Sequence, residues 1–161
     1  DLIDEALDVA RQTDIGFHLL DRIYGTRINL HADDPAAALH VMEDASASVR
    51  GPLETCPGCR ITFAVPAAIA AARAGELELA ETHETQCAYL ADVVMRLPAW
   101  YAAHDEVRGH IAAARDRGGE ESVARFAAAA ERFRAAGHPL DAERCLRLAA
   151  DAASGLAAPV R

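Results

Sequence analysis

Turn-forming residues return along this chain at a nearly constant distance. Asp33, Gly75 and Gly118 are spaced by about 42 and 43 residues, and a period of roughly 20 to 50 residues marks an array of supersecondary units. Five residues beyond each turn stand Ala38, Ala80 and Val123, and twelve beyond stand Ala45, Cys87 and Ala130. Small side chains at matching places let one helix lie close against its neighbours, because interaxial distance is set by the residues at the contact. Each unit is therefore expected to be an antiparallel helix pair.

Composition agrees with that expectation. Ala, Leu, Arg and Glu dominate, all good helix formers, while aromatic residues make up only 5% and β-branched residues are sparse. With 161 residues and 52% hydrophobic content the chain can bury a continuous core and amounts to about one domain. The fold class is all-α: stacked antiparallel helix pairs forming a single helical-repeat domain over residues 1–161.

Periodicity predicts helices over residues 1–13, 15–30, from Asp34-Pro35 to just before Gly51-Pro52, then 59–74, 76–95, 98–117, 120–136 and 139–153, about seven to eight in all. Leu2, Ile3, Leu7, Val9 and Ala10 form the apolar stripe of the first. Asp34 followed by Pro35 is an N-cap with proline at the first helical position. Residues 51–58, with two prolines, two glycines and the Cys56-Pro57-Gly58-Cys59 motif, read as an irregular loop. Pro66 should kink the helix that follows or mark its true start.

A net charge of −9 repels phosphate, so nucleic acid and anionic membrane surfaces are not expected as direct partners. All 16 basic residues are arginine, which fits a GC-rich coding bias. No window approaches the roughly 20 apolar residues of a membrane span, and no secretion signal is evident, so a cytoplasmic location is expected. Four cysteines do not make a disulfide framework and should be thiols or metal ligands. The first residue is Asp1 rather than Met, which points to a piece of a longer protein.

The spacing of small residues over about residues 15–136 resembles the tetratricopeptide repeat, with a period longer than the usual 34 and most of the aromatic positions missing. The phrases Pro66-Ala67-Ala68-Ile69-Ala70-Ala71-Ala72-Arg73-Ala74-Gly75-Glu76-Leu77 and Phe126 to Pro139 resemble the helical-repeat regions of large bacterial transcription activators of the LuxR superfamily. There such repeats join an ATPase module to a DNA-binding helix-turn-helix. This chain has neither a GxxxxGK[ST] phosphate loop nor a convincing DNA-reading helix. The resemblance implies a right-handed superhelix serving as the sensor or scaffold portion of a bacterial signalling or transcription-regulatory protein.

In such a stack the first helices of each pair line a concave surface that takes a peptide, a helix or a neighbouring domain of the same chain. Carried over by register, Arg27, His31, Arg73, Arg108 and Arg115 face that groove, where arginines would clamp the carboxylates of an acidic partner. The plainer reading makes them solvated arginines with intramolecular partners. Trp100 and Cys145 are expected in the core, and oligomeric state is left open.

The alternative is a small zinc-binding regulatory protein. Cys56-x-x-Cys59 and His83-x-x-x-Cys87 supply ligand types for a tetrahedral zinc site, with His104 as a substitute ligand. Axial offsets of about 6 Å between Cys59 and Cys87 and about 12 Å for His83 stand against it, and buried free thiols are the simpler reading. A third reading, an enzyme with a Cys59/His83 or Cys59/His104 dyad, lacks any group to orient it. No GxSxG, HExxH, dinucleotide or calcium-loop motif is present, and no enzyme activity is expected. A thioredoxin-like role for the CPGC motif would require a βαβ setting foreign to an all-α chain. Apart from zinc, no cofactor is called for.

Overall fold

The computed structural model describes residues 1–13, 16–48, 56–116 and 119–155, with the side chain of Phe17 set aside. These residues form α1 (Leu2–Gln12), α2 (Phe17–Leu30), α3 (Pro35–Ala47), α4 (Pro57–Ala74), α5 (Leu77–Ala88), α6 (Pro98–Arg115), α7 (Glu120–Ala135) and α8 (Pro139–Ala153). A π-helical turn over Tyr89–Met95 extends α5. Among the described residues there is no strand, and the all-α expectation holds.

Local chemistry accounts for most of the boundaries. Asp1 and Asp4 form a capping box at the start of α1. The Asp34 carboxylate accepts from the Ala37 N–H at 3.0 Å, with Pro35 following it, as the sequence predicted for α3. Gly75 closes α4 in the left-handed conformation, at φ 85°, which a side chain would strain. Pro98 and Pro139 open α6 and α8.

Three details differ from the sequence reading. The CPGC motif is not loop: Cys56 is the N-cap of α4, and Pro57 and Gly58 already belong to its first turn, because proline at the first helical position sacrifices no intrahelical bond. Pro66 neither starts nor ends a helix but lies buried inside α4. The last turn of the helix predicted over 76–95 winds as π, ending where the Arg96 N–H reaches the Ala91 carbonyl at 2.9 Å and Arg96 turns left-handed ahead of Leu97-Pro98. The expected turn at Gly118 and the first part of the expected loop, residues 51–55, lie outside the described residues.

The helices pack as two rows. α2 contacts α4 and α4 contacts α6, so the first helices of successive pairs form one row, while α3 bridges α2 and α4, and α5 bridges α4 and α6. α8 continues the stack against α7. At the centre, α4 touches α2, α3, α5, α6 and the π turn, and its Ala64, Ala67, Ala68, Ala70, Ala71 and Ala72 are all buried. A helix apolar on nearly every side belongs in the interior, and alanine lets five neighbours come close.

Backbones come into direct contact between α2 and α4. A methyl group built on Gly25 would sit 2.1 Å from the Thr62 carbonyl oxygen and 3.1 Å from the Phe63 Cα, so only hydrogen fits there. Beside it, the Arg60 guanidinium donates to the buried Asp21 carboxylate at 3.2 Å and to the Gln86 side chain at 3.0 Å, tying α2, α4 and α5 together.

Further along, three consecutive polar residues of α6 are buried and each serves a different neighbour. His104 Nε2 lies 2.6 Å from the Glu84 carboxylate of α5. Asp105 pairs with Arg132 of α7 at 3.1 Å. Glu106 accepts two bonds from Arg144 of α8, at 2.8 and 2.7 Å, the bidentate geometry that makes such pairs strong.

Gly25→Ala should separate α2 from α4 and cost about 1–3 kcal/mol, the range of an overpacked core. Thermal unfolding followed by circular dichroism should show a melting temperature lower by about 4–10 °C. An unchanged Tm would mean that the two helices are not in backbone contact.

Candidate functional site

The five residues expected on the concave face separate into two groups. Arg27 pairs with Asp4 at 3.0 Å, linking α2 to α1, and Arg115 donates to Glu81 at 2.5 Å, linking α6 to α5. Those two arginines follow the plainer reading. His31, Arg73 and Arg108 do not: none of them has an ion-pair partner among the described residues, and each is half-buried.

His31 and Arg73 come together at the ends of α2 and α4. They line one small cavity of about 30 Å³ with Ile28, Ala38 and Pro66. Arg73 also lies near enough to His110 for its charge to help disfavour the imidazolium.

Among the described residues, Arg22, Arg73, Arg96 and Arg108 are the arginines without an ion pair. Three of the four belong to α2, α4 and α6, the row formed by the first helix of each pair. Elsewhere arginine is consumed internally: Arg125 and Arg132 by Asp105, Arg134 by Glu131, Arg144 by Glu106 and Asp141, Arg147 by Glu143.

A larger open cleft of about 800 Å³ lies over α1, α2 and α3. Its charges largely answer one another: Arg27 is held by Asp4, while Arg11 pairs with Asp8 at 3.4 Å and donates to the Tyr24 hydroxyl at 3.0 Å. The Ser48 hydroxyl lies 2.7 Å from the same Tyr24 oxygen. The cleft offers mixed polar surface with little uncompensated charge.

The four residues weighed as a zinc set are distributed over two environments. Cys56 and Cys59 share the first turn of α4, Cys56 exposed and Cys59 buried at 6% exposure. His83 stands edge-on to Phe63 at 5.7 Å, and Cys87 lies fully buried in the main core. His104, the substitute ligand, bridges to Glu84 and faces Asp92 at 3.7 Å. Among the described residues, no group of three or more His, Cys, Asp or Glu side chains is arranged to hold a metal ion. The same placement engages His104 in the α5–α6 contact rather than in a dyad with Cys59.

The thiols differ in acidity as their surroundings dictate. Burial pushes Cys87 up to about 12, with help from the Glu84 charge, and burial does the same for Cys145. Cys59 is raised by desolvation and by its neighbour Cys56. Cys56 alone is lowered, first by the Cys59 backbone N–H and then by the Cys59 thiol, with the Gly58 N–H and the Arg22 charge contributing.

No family model matches the chain, and neither do any curated protein or solved structure. Among the described residues no helix is long and apolar enough to cross a membrane.

The sequence reading passed over the buried His104-Asp105-Glu106 run as a unit. Three adjacent polar residues on one helix cover most of its circumference, and a single run of that kind inside an apolar stretch was the available signal. Cys145 is fully buried, as expected, whereas Trp100, expected in the core, is half-buried against two core clusters.

His83 is held neutral, its pKa depressed to about 4 by burial and then by the Arg60 charge. The unfolded chain takes up that proton near 6.5, so stability is complete above that pH and is lost as pH falls toward 4. Melting temperature should decline over that window, and His83→Gln should flatten the dependence by up to one proton. Superimposable pH curves for the two proteins would contradict a neutral buried His83.

Proposed function

We propose that the chain is a protein-binding helical-repeat domain, of the tetratricopeptide-like kind found in bacterial transcription regulators, and that it receives an acidic peptide or a neighbouring acidic domain along the row α2, α4 and α6. The observation that carries this reading is the distribution of unpaired arginine. Among the described residues of this acidic protein, where most arginines are paired internally, Arg22, Arg73 and Arg108 are left without carboxylates on consecutive members of one helix row, with His31 beside Arg73.

The physical logic is that of charge complementarity. A guanidinium already paired with Asp or Glu must break that pair to bind a partner, whereas an unpaired one gains its carboxylate outright. The overall charge of −9 repels acidic partners in general, which confines productive contact to the face where positive charge is uncompensated.

Selection of short random peptides on the immobilised chain should enrich Asp and Glu. The best binder should weaken by at least tenfold, about 1.4 kcal/mol, when Arg73→Glu and Arg108→Glu are combined, with the helical circular dichroism spectrum unchanged. Selected peptides without acidic bias, or binding indifferent to the double charge reversal, would remove this helix row as the site.

A further inference from the structure

We propose that Cys56 and Cys59 form a reactive dithiol that exchanges with disulfides, Cys56 attacking and Cys59 resolving. The inference shares Arg22 with the arginine row but does not require that row to dock a partner, and it rests on how α4 begins. The Cys59 N–H donates to the Cys56 carbonyl at 2.9 Å, closing the first turn and placing the two residues one turn apart. At helical rise that is about 5 Å between their Cα atoms, inside the 4.4–6.8 Å span that a disulfide accepts. The motif needs only a helix N-terminus to work, and a βαβ unit is one way among others to supply it.

Exposure divides the labour between the two thiols. Cys56 faces solvent at the N-cap, where an incoming disulfide can align with its sulfur; Cys59, at 6% exposure, is reachable from Cys56 and hardly from outside. The positive end of α4 and the Arg22 guanidinium both favour negative charge at this place. The direction of the Cys56 shift agrees, since its thiol is the only one of the four made more acidic.

The reaction balances with a disulfide R–S–S–R as oxidant. The Cys56 thiolate attacks one sulfur, a Cys56–S–S–R bond forms, the S–S bond of the reagent breaks, and the first RS⁻ departs and takes a proton. Cys59, deprotonated, then attacks the Cys56 sulfur, forming the Cys56–Cys59 disulfide and expelling the second RS⁻. Two thiols of the protein lose two electrons and two protons, and two RSH are released. The substrate class is an accessible disulfide, either that of a small thiol or one exposed on a peptide.

The test uses the chain as it stands, reduced, freed of reductant and challenged separately with glutathione disulfide and with a disulfide-bridged peptide. Products are read by alkylation and mass spectrometry. Wild type should form the Cys56–Cys59 bond, with Cys87 and Cys145 still alkylated on unfolding. Cys59→Ser should halt at a mixed disulfide on Cys56, Cys59→Ala should do the same should serine disturb the packing, and Cys56→Ser should leave Cys59 unreacted. Arg22→Gln should slow the first step severalfold. Whichever reagent reacts faster identifies the source of the disulfide. The proposal falls if Cys56 reacts no faster than Cys87 and Cys145, if wild type stops at the mixed disulfide, or if both thiols react only after a chelator has removed a metal.

Discussion

Close contact between α4 and everything around it is the constraint on which the other packing depends. Six buried alanines on one helix leave no room for a side-chain mosaic between backbones, so neighbours are positioned by main chain and by the few large residues they insert. Gly25 against the Thr62 carbonyl is one such main-chain contact. Because α4 is held so near α2, the Arg60 side chain can reach Asp21 and Gln86 at once, and because α5 and α6 also abut α4, His104 meets Glu84. The polar links are consequences of the apolar spine rather than substitutes for it.

The helical plan was legible in the sequence because helix ends are written in local chemistry. Asp34-Pro35, Gly75, Pro98 and Pro139 each stop or start a helix for reasons that involve a handful of adjacent atoms. Pro57 obeyed the same rule, but two glycines and a second proline nearby made the segment look irregular. Pro66 could not be read locally at all: whether a proline is tolerated inside a helix depends on the neighbours packed around it, and those come from elsewhere in the chain. The π turn after Ala88 likewise has no residue pattern of its own.

The site was legible only in part. Repeat register put Arg73 and Arg108 on the row of first helices, which is where they are, yet register says nothing about whether an arginine has a carboxylate opposite it. Arg27 and Arg115 found theirs on α1 and α5, both pairings distant in sequence and neither hinted at by spacing. For the cysteines, spacing supplied ligand types without an arrangement: His83 packs edge-on to Phe63 and Cys87 lies in the main core, while Cys56 and Cys59 share the first turn of α4. What spacing could not reveal was the asymmetry between those two thiols, which arises from their place at the head of a buried helix.

The three adjacent polar residues of α6 bear on a different matter, the individuality of the units. Repeat arrays held together by generic apolar seams are modular, and one unit can be duplicated, deleted or exchanged because any seam fits any other. His104, Asp105 and Glu106 replace that generic seam with three separate locks, opened by keys on α5, α7 and α8. A copy of α6 moved elsewhere in the stack would carry buried charges to positions that lack Glu84, Arg132 and Arg144, and an unanswered charge in an interior is far more costly than a poor apolar fit. The order of helices from α5 to α8 is thereby made non-interchangeable, so this half of the molecule can evolve by substitution but not by shuffling.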